Sequence, residues 1–258
     1  MTLLLCLSLT APALATDVAF PAVVEARDGG VVNWTDLRLE VTSRSDATRG
    51  AWKDRRVQEQ DAVDRLAPRM SALAEDVSVT PERSASDVID SDAELGLRLT
   101  DALKDWRVEE TRYHATGGVE MDAALDLRAW LRPALASLSA AGEPPDRPER
   151  VTGLVVDARG LPFEPSVAPT VLTADGTAIV RAQLLSEGTL RSRGPVLYVL
   201  DPADPRAAAR AGGEPLFAQA TAVKGGALVL AAASPAASDP ALSDLVASGR
   251  VVIVMDPP

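Results

Sequence analysis

Cysteine is nearly absent from this chain. Cys6 is the single one among 258 residues, and His114 is the single histidine. Structural and catalytic zinc sites each draw on several such ligands, so the composition excludes both. No GxGxxG, Walker, GxSxG or SxxK pattern occurs, which removes the familiar phosphate-loop and serine-nucleophile signatures. Lysine is scarce as well, with only Lys53, Lys104 and Lys224. The arginine-heavy remainder reads as genomic base composition rather than a design for guanidinium recognition. Basic residues number 26 against 37 acidic ones, a formal net charge of −11. Such a chain repels phosphate backbones and anionic lipid surfaces, which disfavours nucleic acid and membrane-surface binding. No apolar run approaches the ~20 residues that span a bilayer. Ala227–Ala233 and Val251–Met255 are short and bounded by turn residues, as fully buried strands are.

The N-terminus has the form of an export leader. Leu3–Leu9 supplies an apolar core, Pro12 breaks it, and Ala13-Leu14-Ala15 offers small residues at −3 and −1. A positive n-region is missing, since no Lys or Arg precedes Arg27. Leu5 stands where a lipoprotein leader needs a small residue before its cysteine, so Cys6 does not read as a lipid anchor. The expectation is a signal peptide over residues 1–15 and a mature start at Thr16. The mature chain then carries no thiol for a disulfide, a metal or catalysis.

Two modest domains suit the length. The boundary falls at Ala140–Arg150, AAGEPPDRPER, whose prolines and charges leave it no face to bury. The first domain spans residues 16–140. Val31–Val41 reads as one strand with a bulge near Asp36. Val63, Leu66, Met70 and Leu73 mark one stripe of a helix from Ala51 to Asp76, with Pro68 predicting a kink or an early stop. Val88, Leu95, Leu99 and Leu103 mark a second helix with Ser86 as its cap. Trp106–Tyr113 then leads through His114–Gly118 into Val119, Met121, Ala123, Leu125 and Leu127, alternating with Glu120, Asp122, Asp126 and Arg128. That is the cleanest period-two signal in the chain and predicts a sheet with one solvated face. Trp130–Leu138 closes as a helix, with Pro133 near its first turn.

The second domain, residues 151–258 after a linker at 141–150, opens with VTGLVVDARGLPFEPSVAPTVLTADGT. This reads as a buried strand over Leu154–Val156, a turn at Arg159-Gly160 and an extended link stiffened by Pro162, Pro165 and Pro169. A hairpin through Asp175-Gly176 follows. Val196–Leu200 is a strand and Asp204–Ala211 a helix stopped by Gly212-Gly213. Ala227–Ala233 is a strand, Asp239–Ala247 a helix with Ser238 as its cap, and Arg250–Asp256 a closing strand.

That opening segment, together with VNWTDLRLEV, SDAELGLRLTDALKDWRVEETRY, VEMDAALDL and the final RVVIVMD, resembles the flagellar assembly protein T and LPP-type surface lipoprotein group of bacterial envelope proteins. The resemblance implies an envelope setting, protein partners and self-association into a ring. It is carried by framework patterns and not by chemistry.

Candidate chemical residues are few. His114 precedes a Gly-Gly turn and reads as an exposed turn histidine. Asp90, Asp92, Glu94 and Asp101 echo a calcium loop, but Leu95 stands where that loop needs glycine. An acidic first helical turn accounts for them better. Asn33-Trp34-Thr35 fits a glycosylation acceptor but lies in the expected first strand. Asp157-Ala158-Arg159-Gly160 reads as an ion-paired turn. No catalytic, cofactor-binding or metal-binding residue is nominated.

The expectation is an α+β chain of two small mixed domains joined by a proline-rich linker after a signal peptide. It acts as a non-enzymatic scaffold in the periplasm or at the outer membrane, with no cofactor, no nucleic acid and no transmembrane segment after leader removal. Two alternatives stand beside it: a periplasmic binding module for a peptidoglycan fragment or small ligand, and a hydrolase using Asp157 and Glu164.

Overall fold

The computed structural model describes residues 20–45, 54–139, 142, 151–234, 236, 239 and 242–258. The leader, Cys6, Thr16, Ser238 and nearly all of the expected linker lie outside those residues. The fold is α+β.

The first half begins with a hairpin, β1 (Val24–Arg27) and β2 (Gly30–Asn33), followed by β3 (Arg38–Arg44). The single bulged strand expected over 31–41 is therefore two strands joined by a turn at residues 34–37. The turn was hidden because the residues at its two ends are apolar and buried, Trp34 at 0% and Leu37 at 2% exposure. Leu37 takes φ 52°, a left-handed conformation costing a side chain roughly 1–2 kcal/mol, which its burial offsets.

Helix α1 (Arg55–Glu75) starts where the Asp54 carboxylate accepts from the Arg56 and Val57 amides. Ala62, Leu66, Met70 and Leu73 are buried along one stripe, each large side chain contributing about 1.5–3 kcal/mol. Pro68 neither stops nor shortens the helix. It lies on the exposed side, where water can serve the carbonyl that loses its donor. A small hairpin follows, β4 (Ser78–Thr80) and β5 (Arg83–Ser84). The expected second helix is two, α2 (Ala85–Ser91) and α3 (Ala93–Ala102), split at Asp92. Asp92 is extended and its carboxylate accepts from the Glu94 and Leu95 amides, so it begins a helix rather than continuing one. Ser84, not Ser86, caps α2, in a reciprocal box with Asp87. The strands β6 (Arg107–Tyr113) and β7 (Val119–Asp126) form the hairpin that the alternation predicts. The closing helix is likewise two short pieces, α4 (Leu127–Trp130), capped by Asp126, and α5 (Arg132–Leu138), with Pro133 in its first turn.

These strands make an antiparallel sheet in the order β1-β2-β3-β7-β6. Helix α1 packs on its β3 and β7 side, and the opposite face carries the charged residues, as period two requires.

The second half contributes β8 (Gly153–Asp157), β9 (Val171–Leu172), β10 (Ala178–Val180), α6 (Glu187–Ser192), β11 (Leu197–Val199) and α7 (Pro205–Ala211). Strands β12 (Pro215–Lys224), β13 (Ala227–Leu230) and β14 (Val251–Val254) complete it, with α8 (Leu242–Ala247) before the last. The sheet is mixed, in the order β10-β9-β13-β12-β8-β14-β11, with β12, β8, β14 and β11 parallel. Strand β12, the longest in the protein's described residues, and helix α6 were not read from the sequence.

The two sheets share one core. Tyr198 of β11 is fully buried, packs edge-on to Trp34 of the first half and tilts against Phe163. Its hydroxyl donates to the Ser166 carbonyl at 2.7 Å, and its carbonyl accepts from the Thr35 hydroxyl at 2.8 Å. The proline-bearing link turns back on the first half, with the Val167 and Ala168 amides donating to the carbonyls of Ser78 and Val79 at 2.9 and 2.8 Å. The change of sheet falls where the boundary was expected; the main hydrophobic core runs through both halves, and a second, smaller cluster lies wholly within the second half. Among the described residues no helix is long and apolar enough to cross a membrane.

Candidate functional site

In open α/β sheets, ligands sit beyond the carboxyl ends of the parallel strands. Here that rim brings Asp157, the last residue of β8, and Arg159 and Gly160 just after it, beside Asp256, after β14. Arg159 forms a two-pronged pair with Asp157, at 2.9 and 2.6 Å, and the Gly160 amide donates to Asp256 at 2.6 Å. Gly160 has φ +78°, so the turn needs glycine there. The Gln219 amide donates to the Asp157 carbonyl at 3.2 Å. Hydrogen bonds from Arg159 hold the Asp157 carboxyl below its ordinary range, the opposite of what a carboxylate acid in a hydrolase requires. Glu164 is exposed. The rim is an ion-paired turn in which each charge already has a partner.

The solvated face of the first sheet carries a ladder of charges. Arg112 lies within 2.6 Å of Glu110, Glu120 and Asp122, and Arg44 reaches Glu120 from the neighbouring strand. His114 is half-exposed, with its Nε2 3.9 Å from the Glu120 carboxylate. Strand β6 is an edge. Its register shifts between Val108 and Glu110, and arginines and glutamates line it. A bulge and charges are the devices that blunt an edge against further pairing. Strand β6 is thus a poor candidate for pairing with another chain.

A different surface stands out on the second sheet. Helix α7 covers Val155, Val199, Val252 and Val254 with Ala207 and Ala211, which accounts for β11, β14 and β8 on that face. Phe217 of β12 stands directly opposite Val155 in register, so it shares that face, and it is 64% exposed. Beyond it the same face continues through Ala222, which pairs with Val229, and Val229, which pairs with Leu172. Ala222 is exposed, and Val229 and Leu172 are half-buried. Thus, among the described residues, one helix covers three strands of a seven-stranded sheet, and on the other strands Phe217, Ala222, Val229 and Leu172, with the polar Gln219 between them, stay partly or wholly open. All-parallel sheets are ordinarily covered on both faces, whereas the open half here contains the antiparallel pairs β12–β13 and β9–β10, which tolerate a solvated face. Sequence reasoning missed this surface because it missed β12; the alternation of Leu216, Ala218 and Ala220 against Phe217 and Gln219 was the available signal.

The remaining candidates take structural places. Asp92 caps α3 and Asp101 pairs with Lys104 at 2.8 Å. Asn33 ends β2, and its side chain is bound to Asp36 and Glu40; Trp34 and Thr35 lie in the buried turn and not in a strand. Among the described residues no three His, Cys, Asp or Glu side chains converge as metal ligands would.

No curated protein matches the chain. The resemblance read from the sequence, to flagellar assembly protein T and the LPP-type lipoproteins, is not the likeness that the family comparison returns. Residues 153–257, which begin with β8 and take in the whole second sheet, are similar to the family described as Treponema pallidum Tp0624, second domain.

Proposed function

We propose that this protein is a non-enzymatic scaffold or assembly component of the bacterial cell envelope, exported to the periplasm, where it engages other proteins or further copies of itself. The partly covered second sheet carries the reading. Phe217 and the apolar residues beside it form a surface that another protein layer would complete, as a helix layer completes the rest of that face. The charged rim at Asp157 and the ladder around Glu120 are satisfied ion pairs, which suits framework better than chemistry. The envelope setting rests on the leader-like N-terminus and on the quoted resemblance; a place at the outer membrane or in a flagellar basal body is its most specific form.

Replacing the gene with a Phe217→Glu allele tests this. Phe217 is mostly exposed, so the variant should fold with a stability change within about 0.5 kcal/mol. It should nevertheless reproduce the envelope or motility defect of a deletion. His114→Ala and Arg159→Ala should retain function. A functional Phe217→Glu protein, or a folded Arg159→Ala protein without function, would overturn the reading.

A further inference from the structure

Four arginines from separate parts of the chain line one cleft between the two halves. Arg38 comes from β3, Arg128 from α4, Arg193 from the loop after α6 and Arg210 from the last turn of α7, with Thr35 and Asp36 completing the wall of a cavity of about 350 Å³. Nothing in their spacing along the chain groups them.

Their charges are not equally balanced. Arg38 pairs with Glu109, and Arg128 pairs with Asp126 at 2.8 Å. Among the described residues no carboxylate pairs with Arg193 or Arg210. Arg210 donates to the carbonyls of Arg193 and Gly194 at 2.7 and 2.5 Å, bonds that fix the loop carrying Arg193 but leave the guanidinium charge uncompensated. Its Nε is buried without a hydrogen-bond partner. Burial, then repulsion from Arg193 and Arg128, pushes the Arg210 pKa down to about 10. The place is also sterically built. A side chain at Gly194 would strike Leu37 and crowd Arg128, and one at Gly249 would strike Thr189 and come within 3.3 Å of the Arg210 guanidinium. Both glycines have positive φ. In a protein of net charge −11, two uncompensated guanidinium groups held beside two more form an isolated positive site.

We infer that this cleft binds a small dianionic oxyanion of the phosphate class, with Arg193 and Arg210 as its principal charge partners. Guanidinium groups match such oxygens in geometry and charge, and the two unpaired cations call for two negative charges. The cavity suits a free anion or a compact phosphate ester. The net negative exterior works against delivery by an anionic membrane.

Titration calorimetry of the full chain with inorganic phosphate, at fixed ionic strength in chloride, tests the site. Saturable one-to-one binding is expected, with acetate, a monoanion, binding more weakly. Arg193→Gln removes an exposed side chain without touching the Arg210 clamp, and affinity should fall roughly tenfold. Asp36→Asn keeps the side-chain size and removes the opposing charge, so affinity should rise. Vesicles containing phosphatidylglycerol should not compete. Competition by the vesicles would move the source to a lipid headgroup and overturn the free-anion assignment. Absence of saturable binding at millimolar phosphate, equal affinity for acetate, or an affinity indifferent to Arg193→Gln in a folded protein would refute the site.

Discussion

Glu120 shows how a single residue departs from its pattern. Alternation along β7 places it on the solvated face, yet it is only 6% exposed. Arg44 and Arg112 close over it from the two neighbouring strands, and their hydrogen bonds, Arg112 first, hold its carboxyl below the ordinary range. A carboxyl whose pKa is lower folded than unfolded stabilises the fold fully above the unfolded value, about 4.3, and loses that contribution as the pH falls through the folded one. Asp122, held low by Arg112, behaves in the same sense. Glu120→Gln should therefore be less stable than the wild type near pH ~7, with the gap closing in acid. Urea unfolding of both proteins across the acid range measures it. A gap that stays constant down to about pH 3 would show that the ladder does not set the acid limb.

At the scale of elements, legibility followed contrast between the two sides of a segment. The β6–β7 hairpin was plain because Val119, Met121, Ala123 and Leu125 alternate with three carboxylates. Helix α1 was plain because Leu66, Met70 and Leu73 repeat at helical spacing. Three misses share a cause. The 34–37 turn carries Trp34 and Leu37, apolar residues that mimic a continuing strand, and only the φ of 52° at Leu37 breaks it. The α2–α3 break is made by Asp92 acting as a cap inside an unbroken apolar stripe. Strand β12 escaped because its inward side includes the small Ala218 and Ala220, while Phe217 faces outward; burial contrast is inverted there. The candidate surfaces inherited these misses. Phe217 became visible only with its strand, and Arg193 and Arg210 meet Arg38 and Arg128 only through the docking of the two halves.

For the whole molecule, the decisive fact is the shared core around Tyr198, Trp34 and Phe163. A fragment of residues 17–138 would leave Trp34 without its ring partner and Thr35 without its acceptor. Water can replace the lost acceptor of Thr35, but the apolar surface exposed around Trp34 costs about 25 cal/mol per Å². Calorimetry should thus show one cooperative transition for the full chain, while a fragment ending near residue 138 should be less stable and not two-state. Two separate transitions would restore independent units.

Among the described residues nothing covers Phe217 on the β12 face, and the proposed interaction surface lies there. A photocrosslinking side chain placed at position 217 in living cells, with one at exposed Gln60 as the control, reads that surface directly. A discrete crosslinked protein species from position 217, a second copy or an envelope partner, and none from position 60, is the predicted result. No discrete species from position 217 in a folded, correctly exported protein would contradict the proposal that this molecule works by presenting that surface.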